Sequence, residues 1–210
     1  MISPGGIGQN GFSVPPSFAG VCVTFDGVKA PIFGVAPTQI TVAVPTLAPG
    51  TVAVQVLRNC ATAGELKSNL LNVTAPAASP EFLYLETNAD GVNPVAAVGA
   101  DGGFIGINGA TATAGDILVV YALGLGATNP AQTDGVPATG AATVTLRVGV
   151  TIGGVALAAT DLLYAGVSPS YIGLYQVNLR VPAGVARGKQ PIVITVGTLQ
   201  SPTLGYLTIQ

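Results

Sequence analysis

Apolar and polar side chains alternate along Gly173-Leu-Tyr-Gln-Val-Asn-Leu-Arg-Val-Pro182, with Val177, Leu179 and Val181 on one parity and Asn178 and Arg180 on the other. A period of two predicts a strand with one buried and one wet face, stopped here by Pro182. A shorter version, Ile40-Thr-Val-Ala-Val-Pro45, puts Ile40, Val42 and Val44 on the expected buried face and ends on a proline as well. Between and around these two, further strands are predicted at Val21–Phe25, Val28–Phe33, Val52–Leu57, Leu70–Thr74, Phe82–Glu86, Ile117–Leu123, Thr143–Ile152, Leu162–Ala165, Ile192–Val196 and Leu204–Ile209. Asp26-Gly27 and Gly153-Gly154 read as hairpin turns. The nearly continuous apolar run of Ile117–Leu123 predicts a strand buried on both faces, and Thr143–Ile152 shows the cleanest alternation in the chain. No window carries a helical period, so the expected class is all-β.

The pattern also repeats. Val23-Thr-Phe-Asp-Gly-Val28 matches Val150-Thr-Ile-Gly-Gly-Val155, Ala36-Pro37 matches Ser168-Pro169, and Val42-Ala-Val-Pro45 matches Leu179-Arg-Val-Pro182. Val52-Ala-Val-Gln-Val56 lines up with Ile192-Val-Ile-Thr-Val196, and Ser68 with Ser201. The offset grows only in loops, as expected of two copies of one sandwich. The expected organisation is a first sandwich with its N-terminal lead-in over 1–75, a stiff Ala/Pro linker over 76–80 and a longer second sandwich over 81–210. Short strands with turn signals at this spacing predict immunoglobulin-like β-sandwiches.

The order of hairpin, Ser/Ala-Pro and Val-x-Val-Pro strand resembles the IPT/TIG type of immunoglobulin-like domain. Val28-Lys-Ala-Pro-Ile-Phe33, Ala36-Pro-Thr-Gln-Ile40, Tyr121-Ala-Leu-Gly-Leu-Gly126, Leu163-Tyr-Ala-Gly-Val-Ser-Pro169 and Gly173-Leu-Tyr-Gln-Val-Asn178 are similar to an uncharacterised acidobacterial family, from about Gly11 to Gln210. In that family a tandem pair of such domains ends large secreted proteins. The resemblance implies two tandem IPT/TIG-type sandwiches and secretion to the bacterial cell surface or beyond; it implies no activity. The chain departs from it ahead of Val21, where the stretch is short and an opening strand is missing.

Composition sharpens this picture. Charged residues make up 8% of the 210-residue chain, against roughly 25% in ordinary soluble domains. A surface so poor in charge is expected to self-associate or to be covered by a partner. The seven basic residues are scattered and the net charge is −2, which excludes a nucleic-acid or polybasic membrane face. No apolar run approaches the roughly 18 residues of a membrane span. The N-terminus lacks the charged and apolar regions of a signal peptide, so the chain reads either as mature or as part of something longer.

Candidate chemistry is sparse. With no histidine in the chain, Ser-His-Asp catalysis and histidine metal sites are excluded. Cys22 and Cys60 either close a loop worth about 4 kcal/mol or stand as two separate buried thiols. Cys22 is out of phase with Val21, Val23 and Phe25, which argues against the bridge. Asp90, Asp101, Asp116 and Asp134 sit beside Gly or Ala, where turn chemistry is the plainer reading and a loop calcium site the sharper one. Nothing supports a glycosidase pair with Glu81 or Glu86. Gly124-Leu-Gly126 has no following helix or lysine and reads as a turn rather than a phosphate loop. Tyr164, Tyr171 and Tyr175 either stack on sugars or pack at a core corner. No catalytic, cofactor or metal residue is expected. The expected function is a non-catalytic secreted structural module that self-associates into a fibre or surface layer through edge strands or an exchanged N-terminal strand, Met1–Pro16; the alternative is a polysaccharide- or surface-binding adhesion module.

Overall fold

The computed structural model describes residues 12–210; the Met1–Gly11 part of the lead-in lies outside the described residues. Every regular element among them is a β-strand. The chain divides into two compact units. Unit 1 takes the described residues up to Ala77 together with Ala131–Ala141 and Pro169–Gly173, and unit 2 takes Ala78–Pro130, Ala142–Ser168 and Leu174–Gln210. Two loops of the second half of the sequence thus belong to unit 1, which a linear division into 1–75 and 81–210 does not anticipate.

Unit 1 contains β1 (Val21–Phe25), β2 (Val28–Lys29), β3 (Ile32–Ala36), β4 (Gln39–Val42), β5 (Gly50–Arg58), β6 (Leu66–Lys67) and β7 (Leu71–Ala75). One sheet runs β2-β1-β5-β6 with β7 also on β5, while β3 and β4 form a separate two-stranded sheet. The expected single strand Val28–Phe33 is therefore two. Bonding to β1 ends at Ala30, whose N–H donates to Val23 O; the next residue, Pro31, turns its backbone the other way, its carbonyl accepting from Ala43 N–H, and the chain continues in the other sheet.

Unit 2 contains β8 (Glu81–Phe82), β9 (Asn93–Pro94), β10 (Ala97–Val98), β11 (Ile117–Leu123), β12 (Thr128–Asn129), β13 (Thr143–Val144), β14 (Val148–Ile152), β15 (Val155–Ala156), β16 (Leu162–Val167), β17 (Tyr175–Arg180), β18 (Gly188–Val196), β19 (Leu199–Gln200) and β20 (Gly205–Ile209). Its sheets run β10-β11-β17-β16-β13-β12, with β8 on β11, and β15-β14-β18-β20-β9, with β19 on β18. Leu118, Val120, Val177 and Leu179 of the first sheet share one core with Val150, Ile152, Ile192, Ile194, Val196 and Leu207 of the second. Each fully buried aliphatic side chain of this kind contributes roughly 1.5–3 kcal/mol.

Two expectations are corrected here. β11 is not buried on both faces: Leu118, Val120 and Ala122 face the core, but Ile117 and Leu123 are exposed. Thr143–Ile152 is not one strand: β13 pairs with β12 and β16, whereas β14 pairs with β15 and β18. The chain changes sheet between them, and the unbroken alternation hides the crossing because side chains of both sheets point into the same core.

The two units repeat one another in their backbone bonds. Asp26 N–H donates to Ala53 O at 2.9 Å and Gly153 N–H to Pro191 O at 2.8 Å. Ala30 N–H donates to Val23 O as Leu157 N–H does to Val150 O. Ser68 bonds Val56 through its own N–H and through its Oγ, which accepts from Val56 N–H at 3.1 Å; Ser201 does the same to Ile194, also at 3.1 Å. Both hairpins carry a bulge at the same place, after Ile32↔Val42 and after Leu162↔Leu179. These bonds align Val54 with Ile192 and Val56 with Ile194, which moves the sequence match of Val52–Val56 by two residues. A strand's period of two cannot register such a slip, because it preserves the buried face.

Ser201 is buried and Ser68 is exposed. Replacing Ser201 by Ala leaves a buried strand N–H unpaired and is expected to cost about 1–3 kcal/mol. Ser68→Ala, where water replaces the hydroxyl, costs less than about 1 kcal/mol; calorimetry of the two variants checks the difference.

Candidate functional site: an unpaired strand edge in unit 1

The site follows from the shared register. Pro37-Thr38 turns the β3–β4 hairpin, and Ala36↔Gln39, Val35↔Ile40 and Gly34↔Thr41 pair across it. Ala43 N–H reaches Pro31 O at 2.9 Å, so the backbone of residue 43 faces β3. By the alternation of an antiparallel ladder, Gln39 and Thr41 face β3 as well, and the N–H and C=O groups of Ile40, Val42 and Val44 face outward. Among the described residues no strand pairs with that outer edge.

In unit 2 the equivalent edge is occupied. β17 corresponds to β4, and β11 lies against its other side with Val120↔Val177 and Leu118↔Leu179. The consequence shows in burial. Val181 is 1% exposed while its counterpart Val44 is 62% exposed. Val177 and Leu179 are wholly buried while Ile40 and Val42 are only half-buried. Behind them, Phe25, Val54 and Val56 are half-buried where Ile152, Ile192 and Ile194 are fully enclosed. The expectation that Ile40, Val42 and Val44 form a buried face is therefore corrected. Their pattern is that of a core strand, but the neighbour that would bury them is absent among the described residues.

The rest of unit 1 holds this hairpin in place. Asp134 accepts from Thr46 N–H at 3.0 Å and from Thr46 Oγ1 at 2.9 Å, fixing the chain just past β4. Gly135 accepts from Val14 N–H at 2.7 Å. Gly135 lies at φ +72°, and a Cβ on it would strike Val14 O and Pro31, so the position needs glycine. The backbones of Ala138 and Tyr171 join the two loops of unit 1 through an N–H···O bond of 3.1 Å. Thr46 and Asp134 are 88 residues apart, and no local pattern in the sequence connects them; Asp134-Gly135 reads only as a turn.

Cys22 and Cys60 are bridged, with Cα atoms 5.8 Å apart. The phase argument against the bridge fails because β1 is covered on both faces: Cys22 and Thr24 are buried on one, Val23 on the other. Cys22 lies opposite Leu57 of β5, and the loop after β5 carries Cys60 back over it.

The remaining candidates are occupied by structural work. Tyr164 donates to the carbonyl of Val167 at 2.9 Å, and Tyr175 OH donates to the carbonyl of Gly126. Both rings are half-buried, and Tyr171 is exposed. Asp90 accepts from Val92 N–H, Asp101 from Gly103 N–H, and Asp116 from Thr113 N–H and Oγ1. These are turn bonds within two or three residues. Glu81 accepts from Tyr84 OH at 2.6 Å. Among the described residues no three His, Cys, Asp or Glu side chains converge as a metal site requires. Gly124, at φ +67°, packs so closely on Ser79 that a Cβ would strike the Ser79 carbonyl; its own carbonyl accepts from Ser79 N–H. Gly124-Leu-Gly126 is thus a close backbone crossing.

Comparison with protein-family models finds no match to this chain, and comparison with curated proteins finds none either. Among the described residues no helix is long and apolar enough to cross a membrane.

Two measurements test the unit's supports. Removing the bridge with Cys22→Ala, Cys60→Ala is expected to cost about 2–5 kcal/mol, read in calorimetry as a fall in the unfolding temperature of the transition that reduction of the wild type also lowers. Burial pushes the Tyr175 phenol above its ordinary value, and burial with the Glu81 hydrogen bond does the same for Tyr84. Both folded-state values exceed the unfolded value of about 10, so the folded state favours the protonated phenols. Their contribution is complete below about pH 10 and is lost as pH rises beyond it. Unfolding temperature should therefore drop above about pH 10, and less steeply in Tyr175→Phe.

Proposed function

We propose that this chain is a non-catalytic structural module of a secreted bacterial protein, a tandem pair of IPT/TIG-type immunoglobulin-like sandwiches that self-associates into a fibre or surface layer through strand edges. The observation that supports this reading is the strand position beside β4, which no strand fills among the described residues and whose counterpart in unit 2 is filled by β11. An unpaired edge of this kind is a template for another chain.

Two further features agree with it. No charged residue occurs from Ala30 to Leu57, so the edge lacks the lysines or carboxylates that usually block edge-to-edge pairing. Unit 1 has a second open edge among the described residues: there β7 pairs with β5 alone, and Leu70 just before it and Leu71 at its start are 60% and 61% exposed. Its counterpart β20 is covered by β9 in unit 2. Two unlike adhesive edges on one molecule are sufficient for open-ended growth.

Size-exclusion chromatography with light scattering, followed by negative-stain microscopy, is expected to find species larger than a monomer and, at high concentration, filaments or sheets. A chain that stays monomeric at millimolar concentration sinks the reading.

A further inference from the structure

The position beside β4 that no described strand fills has a defined chemistry, because unit 2 displays what fills its counterpart. β11 runs antiparallel to β17 and places Leu118 and Val120, both buried, opposite Leu179 and Val177. The occupant of the unit 1 position must therefore be a strand antiparallel to β4, with aliphatic side chains two residues apart opposite Val42 and Ile40. Its backbone must bond to the outward N–H and C=O groups of Ile40, Val42 and Val44.

The N-terminal segment Met1–Gly11 does not carry that pattern. It contains four glycines and Pro4, and its only β-branched residues, Ile2 and Ile7, are five apart and of opposite parity. The segment Ile40-Thr-Val-Ala-Val44 does carry it. A two-fold axis makes the β4 strand of a second copy antiparallel to the first. With Val42 opposite Val42 of the second copy, Ile40 of each copy meets Val44 of the other. Valine then stands where Leu118 and Val120 stand in unit 2. This register aligns outward backbone groups with outward backbone groups on both strands and leaves Ile40, Val42 and Val44 of both copies on the inner face. Thr41 and Ala43 take the opposite face, and no charge is brought into the contact.

We propose that unit 1 is completed by a second copy of this chain, β4 pairing with β4 across a two-fold axis centred on Val42, so that each copy fills the other's empty strand position. The inference rests on the self-association reading and names the contact that produces it. The pair extends each two-stranded β3–β4 sheet to four strands and buries Val44 as Val181 is buried.

The test uses the 210-residue chain and variants at the exposed or outward positions. Val44→Lys puts a charge opposite Ile40 of the second copy and is expected to halve the mass of the smallest stable species. Val42→Cys is expected to form an intermolecular disulfide on mild oxidation, since the paired Cα atoms would stand about 5.5 Å apart. Ile40→Cys should not do so alone, because four residues of strand, about 13 Å, separate the two copies of residue 40. It should cross-link only when mixed with Val44→Cys. Unchanged mass in a folded Val44→Lys, or cross-linking of Ile40→Cys alone as readily as Val42→Cys, overturns the proposal. So does loss of association on deleting Met1–Gly11, which would assign the position to an exchanged N-terminal strand. If Val44→Lys associates like the wild type but Leu71→Lys does not, self-association stands and this contact fails; a monomeric wild type removes both.

Discussion

A strand has two edges, and each must find hydrogen-bond partners in protein or in water. Among the described residues of unit 1, a protein strand meets that requirement on one side of β4 only. The half-covered Ile40 and Val42, the exposure of Val44 and the lack of charged residues along 30–57 all go with this position. In unit 2, β11 occupies it, and the same residue pattern becomes the centre of a closed core. At this strand the two copies of one arrangement thus differ, among the described residues, by the presence of a neighbour.

Unit 1 keeps its shape by other means. The Cys22–Cys60 bridge spans 38 residues and ties β1 to the loop that follows β5. In the chain-entropy model a loop of that size contributes about 4 kcal/mol, comparable to burying two aliphatic side chains. The Asp134 carboxylate holds Thr46 just past β4, and at the start of β3 Ile32 N–H donates to Pro15 O, next to Val14, whose N–H donates to Gly135 O. A rigid acceptor edge does not have to be ordered at the moment of association, which lowers the entropic cost of pairing.

The unit 2 core explains why the long strand patterns were legible. β17 lies where the alternation of Val177, Leu179 and Val181 puts it, and all three are buried. The hairpins at Asp26-Gly27 and Gly153-Gly154 form as their turn chemistry predicts. The Ser68 and Ser201 match, a single residue in each repeat, marks a hydrogen bond made twice.

The sequence by itself determined the all-β class, the repeat, the parity of each strand and the poverty of charge, because each depends on local periodicity or composition. Only the tertiary structure decided the two-residue register of β1 on β5, the change of sheet between Val144 and Val148, the return of Ala131–Ala141 to unit 1 and the cysteine bridge. It also decided that, among the described residues, Ile40, Val42 and Val44 lack the neighbour that Val177, Leu179 and Val181 possess. A period of two states which side chains can face a core; whether a strand lies there to close it depends on residues far away in the chain, or on another molecule.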